Sequence, residues 1–133
     1  MPRILLVEDS NSTRQFVRVA LESATLVGGG EIEVVEAASG FDALRLLPRG
    51  AYDLVISDVN VPDINGLELV RFVRGSERHR KTPLLLMSTQ ASPRDRQRGL
   101  ELGANDYLAK PFSEDDLRSS VNRLLMAHKA PLD

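Results

Sequence analysis

Four apolar runs in this chain of 133 residues stop at side chains able to do chemistry. Ile4-Leu5-Leu6-Val7 ends at Glu8-Asp9, and Leu54-Val55-Ile56 ends at Ser57-Asp58. Leu84-Leu85-Leu86-Met87 ends at Ser88-Thr89, and Tyr107-Leu108-Ala109 ends at Lys110. Brought to one place, Glu8, Asp9 and Asp58 repel one another and need a cation. The chain has no cysteine and no histidine near these acids in its pattern, so the donor set is all oxygen and selects a hard ion. Mg²⁺ suits such a set, because it takes one or two carboxylates, keeps waters and bridges to phosphate. Lys110 is a compact charge suited to a phosphate oxygen, and Ser88 supplies a hydroxyl. Acids, hard metal, ammonium and hydroxyl together make a site for a transferring phosphoryl group. The nucleophile would be a carboxylate, and Asp58 on the central run is the best placed.

The elements that must position these residues follow from the apolar pattern. Continuous apolar runs with turn residues after them read as strands covered on both faces. They fall at 3–7, 32–38, 54–57, 83–87 and 106–109. A helical pattern follows each one. Ser10-Asn11-Ser12 offers caps for the first helix, with Thr13, Phe16, Val17, Ala20, Leu21 and Ala24 at helical spacing. Ser39 with Asp42, and Ser113 with Asp116, resemble capping boxes. Asn65-Gly66 opens the third helix, in which Leu67, Leu69, Val70, Phe72 and Val73 are expected to pack. Ser92-Pro93 gives the fourth helix an N-cap and a proline at its first position. That helix, 92–102, is poor in apolar residues, and Arg94, Arg96 and Arg98 read as a solvated face. His79 sits in a charged connection and reads as a solvated loop residue. His128 falls near the end of the last helix. Gly28-Gly29-Gly30 reads as a flexible turn, since no strand precedes it and no Lys-Ser/Thr follows.

Strict β–α alternation, five times over, implies a parallel sheet with helices on both faces. In such sheets ligands bind beyond the carboxyl ends of the strands. Strand two ends in Ala38-Ser39 and brings little to that edge, as an outer strand would. Residues 1–128 are expected to form one domain, with 129–133 a frayed tail. A net charge of −2 gives no general pull toward nucleic acid or anionic membrane. No apolar run reaches membrane-spanning length, and the N-terminus does not read as a signal peptide, so a cytoplasmic location without membrane insertion is expected.

Each feature alone has an ordinary reading. Glu8-Asp9 would cap a helix, Asp58 would be a turn acid, Ser88-Thr89 would be loop residues, and Lys110 would be surface charge. The functional reading rests on all of them falling at strand ends in one alternating pattern.

The same residues resemble a known family. Glu8-Asp9, the segment Asp58-Val-Asn-Val-Pro-Asp-Ile-Asn-Gly66, Ser88-Thr89, and Gly103-Ala-Asn-Asp-Tyr-Leu-Ala-Lys110-Pro111-Phe112 are similar in order and position to the response-regulator receiver domains of two-component signalling, CheY-like. The likeness covers about 3–128. It implies a doubly wound, flavodoxin-like sheet of order 2-1-3-4-5 and a phosphoacceptor at Asp58. Asp9 and Asp58 would bind Mg²⁺ directly, Glu8 through water and Asn60 through its backbone carbonyl. Lys110 and the Thr89 backbone amide would meet phosphoryl oxygens. Ser88 and Tyr107 would form the switch, the Tyr107 ring moving inward as Ser88 is drawn to the phosphate. Asn60 and Gln90 would tune dephosphorylation. The Lys110–Pro111 peptide is expected to be cis. The connection at 25–31 is longer than the family pattern and is a candidate partner or dimer surface.

The implied function is a switch that takes a phosphoryl group from a sensor histidine kinase or phosphotransfer protein, alters its 92–128 surface for a downstream protein target, and loses the group by its own catalysis. It is not expected to turn over external substrates or to bind nucleic acid directly. The chain would be a single-domain regulator or a receiver cut from a larger one. Two rivals keep the fold. A phosphorylation-independent adaptor would ignore the acids. A Mg²⁺-dependent phosphatase would need a second acid two residues after its nucleophile, where this chain has Asn60.

Overall fold

The computed structural model describes residues 2–23 and 31–129. Strands β1 (Arg3–Val7), β2 (Glu33–Ala37), β3 (Leu54–Asp58), β4 (Leu84–Ser88) and β5 (Asp106–Ala109) alternate with helices α1 (Asn11–Glu22), α2 (Gly40–Leu46), α3 (Gly66–Gly75), α4 (Pro93–Leu102) and α5 (Glu114–Lys129). All strand pairs are parallel, in the order β2-β1-β3-β4-β5. Strand two is an edge strand, as its poor ending implied. The turn at Gly28–Gly30 and the tail beyond 129 lie outside the described residues.

Side-chain alternation divides the core into two layers. Leu5, Val7, Val55, Leu84 and Leu86 pack with Ala43, Leu69, Val70 and Val73 on the α2–α4 side. Ile4, Leu6, Ile56, Leu85 and Met87 pack with Val17, Leu21, Leu117 and Val121 on the α1/α5 side. Every residue of β3 and β4 is buried, and each aliphatic side chain removed from water stabilises the fold by about 1.5–3 kcal/mol.

Serine side chains cap α1, α2 and α4. Ser10 accepts from the Thr13 amide, Ser39 from Asp42 and Ser92 from Asp95. Ser113 and Asp116 exchange amide bonds reciprocally, at 3.0 and 3.5 Å. One cap comes from far along the chain. Asp63, in the loop after β3, accepts from the Gly40 and Phe41 amides at 2.8 Å each.

Two expectations are corrected. His79 is 2% exposed rather than solvated. Its Nε2 lies 2.6 Å from the Leu47 carbonyl and its ring packs against Tyr52. Arg94, Arg96 and Arg98 are exposed, as expected, and Arg96 in addition donates to the Tyr107 carbonyl and the Asp106 carboxylate. Phe16 and Phe72 keep large exposed surfaces instead of packing inward, and Phe16 meets Phe112 edge-on.

Candidate functional site

Parity along the strands decides which side chains meet at the carboxyl edge. Glu8 follows Leu6, Asp58 follows Ile56, and Lys110 follows Leu108, and all three leading residues belong to the α1/α5 core. The two acids and the lysine therefore converge on that side. Ser88 follows Leu86, which packs in the other layer with Tyr107.

Glu8 is 1% exposed and Asp58 is 6% exposed. Lys110 Nζ donates to Glu8 Oε1 and to Asp58 Oδ2, at 2.6 Å each. The second oxygen of each acid is also held. Glu8 Oε2 accepts from the Ser10 amide at 3.1 Å, and Asp58 Oδ1 from the Asn60 amide at 2.9 Å. Burial raises the Glu8 pKa above its usual value, against the lowering pull of the bonds from Lys110 and Ser10, and the Asp58 charge adds to the rise. Burial acts to lower the Lys110 pKa, but its bonds to Asp58 and Glu8 outweigh this and hold it above normal. The Lys110–Pro111 peptide is cis.

Asp9 completes the acid group. It is exposed, and one carboxylate oxygen from each of Glu8, Asp9 and Asp58 lies within 4.8 Å of the others. Three oxygen donors this close, two of them buried, fit a hard divalent ion.

Gly66 is required by the same loop. Its amide donates to the Val59 carbonyl at 2.8 Å. A Cβ there would lie 2.6 Å from the Asp58 carbonyl oxygen and 2.7 Å from Val59 Cα. Only glycine lets α3 start this close to the end of β3.

Ser88 and Tyr107 are joined through one backbone residue. The Gln90 amide donates to Ser88 Oγ at 2.9 Å, and the Tyr107 hydroxyl donates to the Gln90 carbonyl at 2.6 Å. Tyr107 is 3% exposed and already inward, its ring 3.1 Å from where a Cβ on Gly99 would stand. Thr89, with Lys110, Pro111, Phe112, Ser12, Thr13 and Phe16, lines an open cleft of about 400 Å³ beside the site. The Asn60 and Gln90 side chains are exposed.

Glu8, Asp9, Asp58, Ser88 and Lys110 thus stand at one sheet edge, while Tyr107 lies within β5 opposite Leu86. The bridging role of the Gln90 backbone was not foreseen, since a peptide group leaves no sequence signal. Arg14 donates to the Glu8 carbonyl, a contact that a cation one turn into a helix following two acids can signal.

Comparison with known proteins agrees with this geometry. The family model of the response regulator receiver domain matches residues 4–122. The transcriptional regulatory protein CusR of Escherichia coli strain K12 is 37% identical over 123 residues, which are 92% of this chain and 51% of that protein. The cell cycle response regulator CtrA of Brucella ovis is 33% identical over 127 residues, 96% of this chain and 51% of that protein. The chain thus spans about half the length of these curated relatives. Among solved structures, the chemotaxis response regulator CheY4 of Vibrio cholerae superposes with a TM-score of 0.84 at 37% identity, covering 93% of this chain and 98% of that one. The receiver domain of the sensor histidine kinase PA1611 from Pseudomonas aeruginosa, solved with a magnesium ion in its active-site cleft, gives 0.80 at 32% identity, covering 93% of this chain and 97% of that one. With the five-stranded order, the acid trio and the bridging lysine in place, the chain belongs to the response regulator receiver domains, the phosphoacceptor switches of two-component signalling.

Proposed function

We propose that Asp58 is the phosphoacceptor and that Glu8, Asp9, Asp58 and the Asn60 carbonyl hold the metal, taken to be Mg²⁺. The observation that carries this is the pairing at Asp58. Asn60 fixes one carboxylate oxygen, so the other, facing Lys110, is the oxygen that attacks phosphorus. The donor is the phosphohistidine of a sensor kinase or phosphotransfer protein. The Asp58 O–P bond forms as the donor N–P bond breaks, and the released histidine nitrogen keeps the electron pair. Lys110 moves from Asp58 to a phosphoryl oxygen, and the exposed Thr89 turn offers its amide to another. Bound Mg²⁺ supplies charge neutralisation across the transferring oxygens. In this way the domain catalyses its own phosphorylation. Hydrolysis of the acyl phosphate later resets it, with Asn60 and Gln90 placed to handle the attacking water.

The output follows from the Ser88–Gln90–Tyr107 chain of hydrogen bonds. Turning Ser88 Oγ toward a phosphoryl oxygen alters its bond to the Gln90 amide, and the Gln90 carbonyl holds Tyr107. Tyr107 is already inward before phosphorylation, so phosphorylation acts on the bonds that hold it there and, through them, on the position of α4. α4 buries little of itself, Gly99 being its one buried residue. The surface of α4, β5 and α5, residues 92–128, receives the downstream protein. Among the described residues no helix is long and apolar enough to cross a membrane. The proposed phosphodonor supports a cytoplasmic location.

Beryllofluoride with Mg²⁺, read by amide chemical shifts, tests the switch. Shifts should appear at Ser88–Gln90, Tyr107 and α4, and vanish in Asp58→Asn. Shifts confined to the acid cluster would leave the adaptor reading in place of the switch.

A further inference from the structure

Arg14, in the first turn of α1, reaches back to the end of β1. Its Nη1 donates to the Glu8 carbonyl at 2.6 Å, its Nη2 donates to Asn11 Oδ1, and its Nε lies 3.4 Å from Glu36 Oε1 on β2. The side chain is 16% exposed. Its backbone amide donates to the Ser10 carbonyl at 3.0 Å. The guanidinium therefore holds the Glu8 carbonyl just before Asp9, while the helix backbone bond at position 14 holds the Ser10 carbonyl just after it.

That grip matters because of how the two acids differ. Glu8 is held at every polar atom. Its amide donates to the Ala37 carbonyl, its carboxylate accepts from Lys110 and Ser10, and its carbonyl accepts from Arg14. The Asp9 carboxylate has no bonding partner among the described residues. Its place within 4.8 Å of the Glu8 and Asp58 oxygens depends on the Glu8–Ser10 backbone, which Arg14 holds together with the Ala37 carbonyl and the Glu8 carboxylate.

We infer that Arg14 is a positioning residue for the metal site, fixing the Glu8–Ser10 turn so that the unbonded Asp9 carboxylate points at the acid cluster. This rests on the reading that Glu8, Asp9 and Asp58 hold Mg²⁺. The planar guanidinium suits the task because it bonds the Glu8 carbonyl just past β1 and Asn11 on α1 while pairing with Glu36 on β2, which a lysine ammonium cannot do in the same geometry.

The inference has a sign that simple electrostatics does not share. A cation beside a divalent-metal site repels the metal, so on charge alone its removal would tighten binding. Positioning requires the opposite. The test is calorimetric titration with Mg²⁺ of wild type, Arg14→Met, Arg14→Lys and Asp9→Asn, with thermal unfolding in chelator beside it. Arg14→Met should bind Mg²⁺ roughly 10-fold more weakly, the size seen when a partner that orients a metal ligand is lost. Arg14→Lys, which keeps the charge but not the fork, should also bind more weakly. Should Arg14→Met fail to fold, Arg14→Lys carries the comparison. Folded variants that bind Mg²⁺ as tightly as wild type, or more tightly, overturn the inference while the metal reading stands. Absence of Mg²⁺ binding in wild type, or wild-type binding by Asp9→Asn, overturns the metal reading and this inference with it.

Discussion

Lys110 Nζ stands 2.6 Å from Glu8 Oε1 and 2.6 Å from Asp58 Oδ2, so one ammonium balances two carboxylates at the buried edge of the sheet. Lys110→Met would leave the nearly inaccessible Glu8 charge without its partner. Breaking a buried pair from one side costs about 3 kcal/mol or more. Denaturant unfolding in chelator should show a loss of this size, with part restored by Mg²⁺. The variant should still bind the metal, while Asp58 phosphorylation no longer reaches Tyr107. Unchanged stability in chelator would mean that the pair is not needed to offset the burial of Glu8.

Glu8 also gives the fold a pH dependence with a definite sign. Its folded pKa is raised above 4.5, chiefly by burial, so folding favours the protonated acid. The stability this contributes is complete below 4.5 and is lost as pH rises through the folded value. In chelator, wild type should therefore lose stability relative to Glu8→Gln as pH rises above 4.5 and through the folded value. Parallel stability curves for the two proteins over that range would contradict this account of the site.

Gly66→Ala tests how tightly the phosphoacceptor loop is packed. The new Cβ meets the Asp58 carbonyl and Val59 Cα, both backbone atoms that cannot swing away. A loss of about 1–3 kcal/mol is expected from overpacking. Beryllofluoride affinity should fall as well, because the displaced backbone carries Asp58. Wild-type affinity in the folded variant would show that the loop absorbs the methyl without moving Asp58.

Tyr107→Phe removes the hydroxyl that donates to the Gln90 carbonyl at 2.6 Å and leaves the ring in its pocket. The loss in stability should be modest, about 1 kcal/mol. The larger effect should fall on coupling. Beryllofluoride should still shift the Ser88 and Gln90 amides while the α4 response weakens. A full α4 response would remove Tyr107 from the output path.

The fold and the acid–lysine cluster were readable because strand ends are marked by apolar runs and by the charged residues that stop them. Glu8, Asp9, Asp58, Ser88 and Lys110 each end such a run, and alternation then sorts them to a face. What escaped depends on contacts distant in sequence. His79 sits among charged residues, and its burial comes from the Leu47 carbonyl 32 positions away. Asp63 follows a proline in the loop after β3 and gives no local sign of its role, yet it caps a helix that begins 23 positions earlier. Arg96 lies in a run of arginines that looks uniformly solvated, and only the return of β5 gives it the Tyr107 carbonyl as an acceptor. No local periodicity carries this information.

The central claim is that Asp58 takes the phosphoryl group in this Mg²⁺-assisted site. Intact-mass measurement after incubation with acetyl phosphate and Mg²⁺ tests it most directly. Wild type should gain a single phosphoryl mass that depends on Mg²⁺ and decays on standing, and Asp58→Asn should gain none. A wild type that gains no mass, or an Asp58→Asn variant that gains the same mass, would contradict the account.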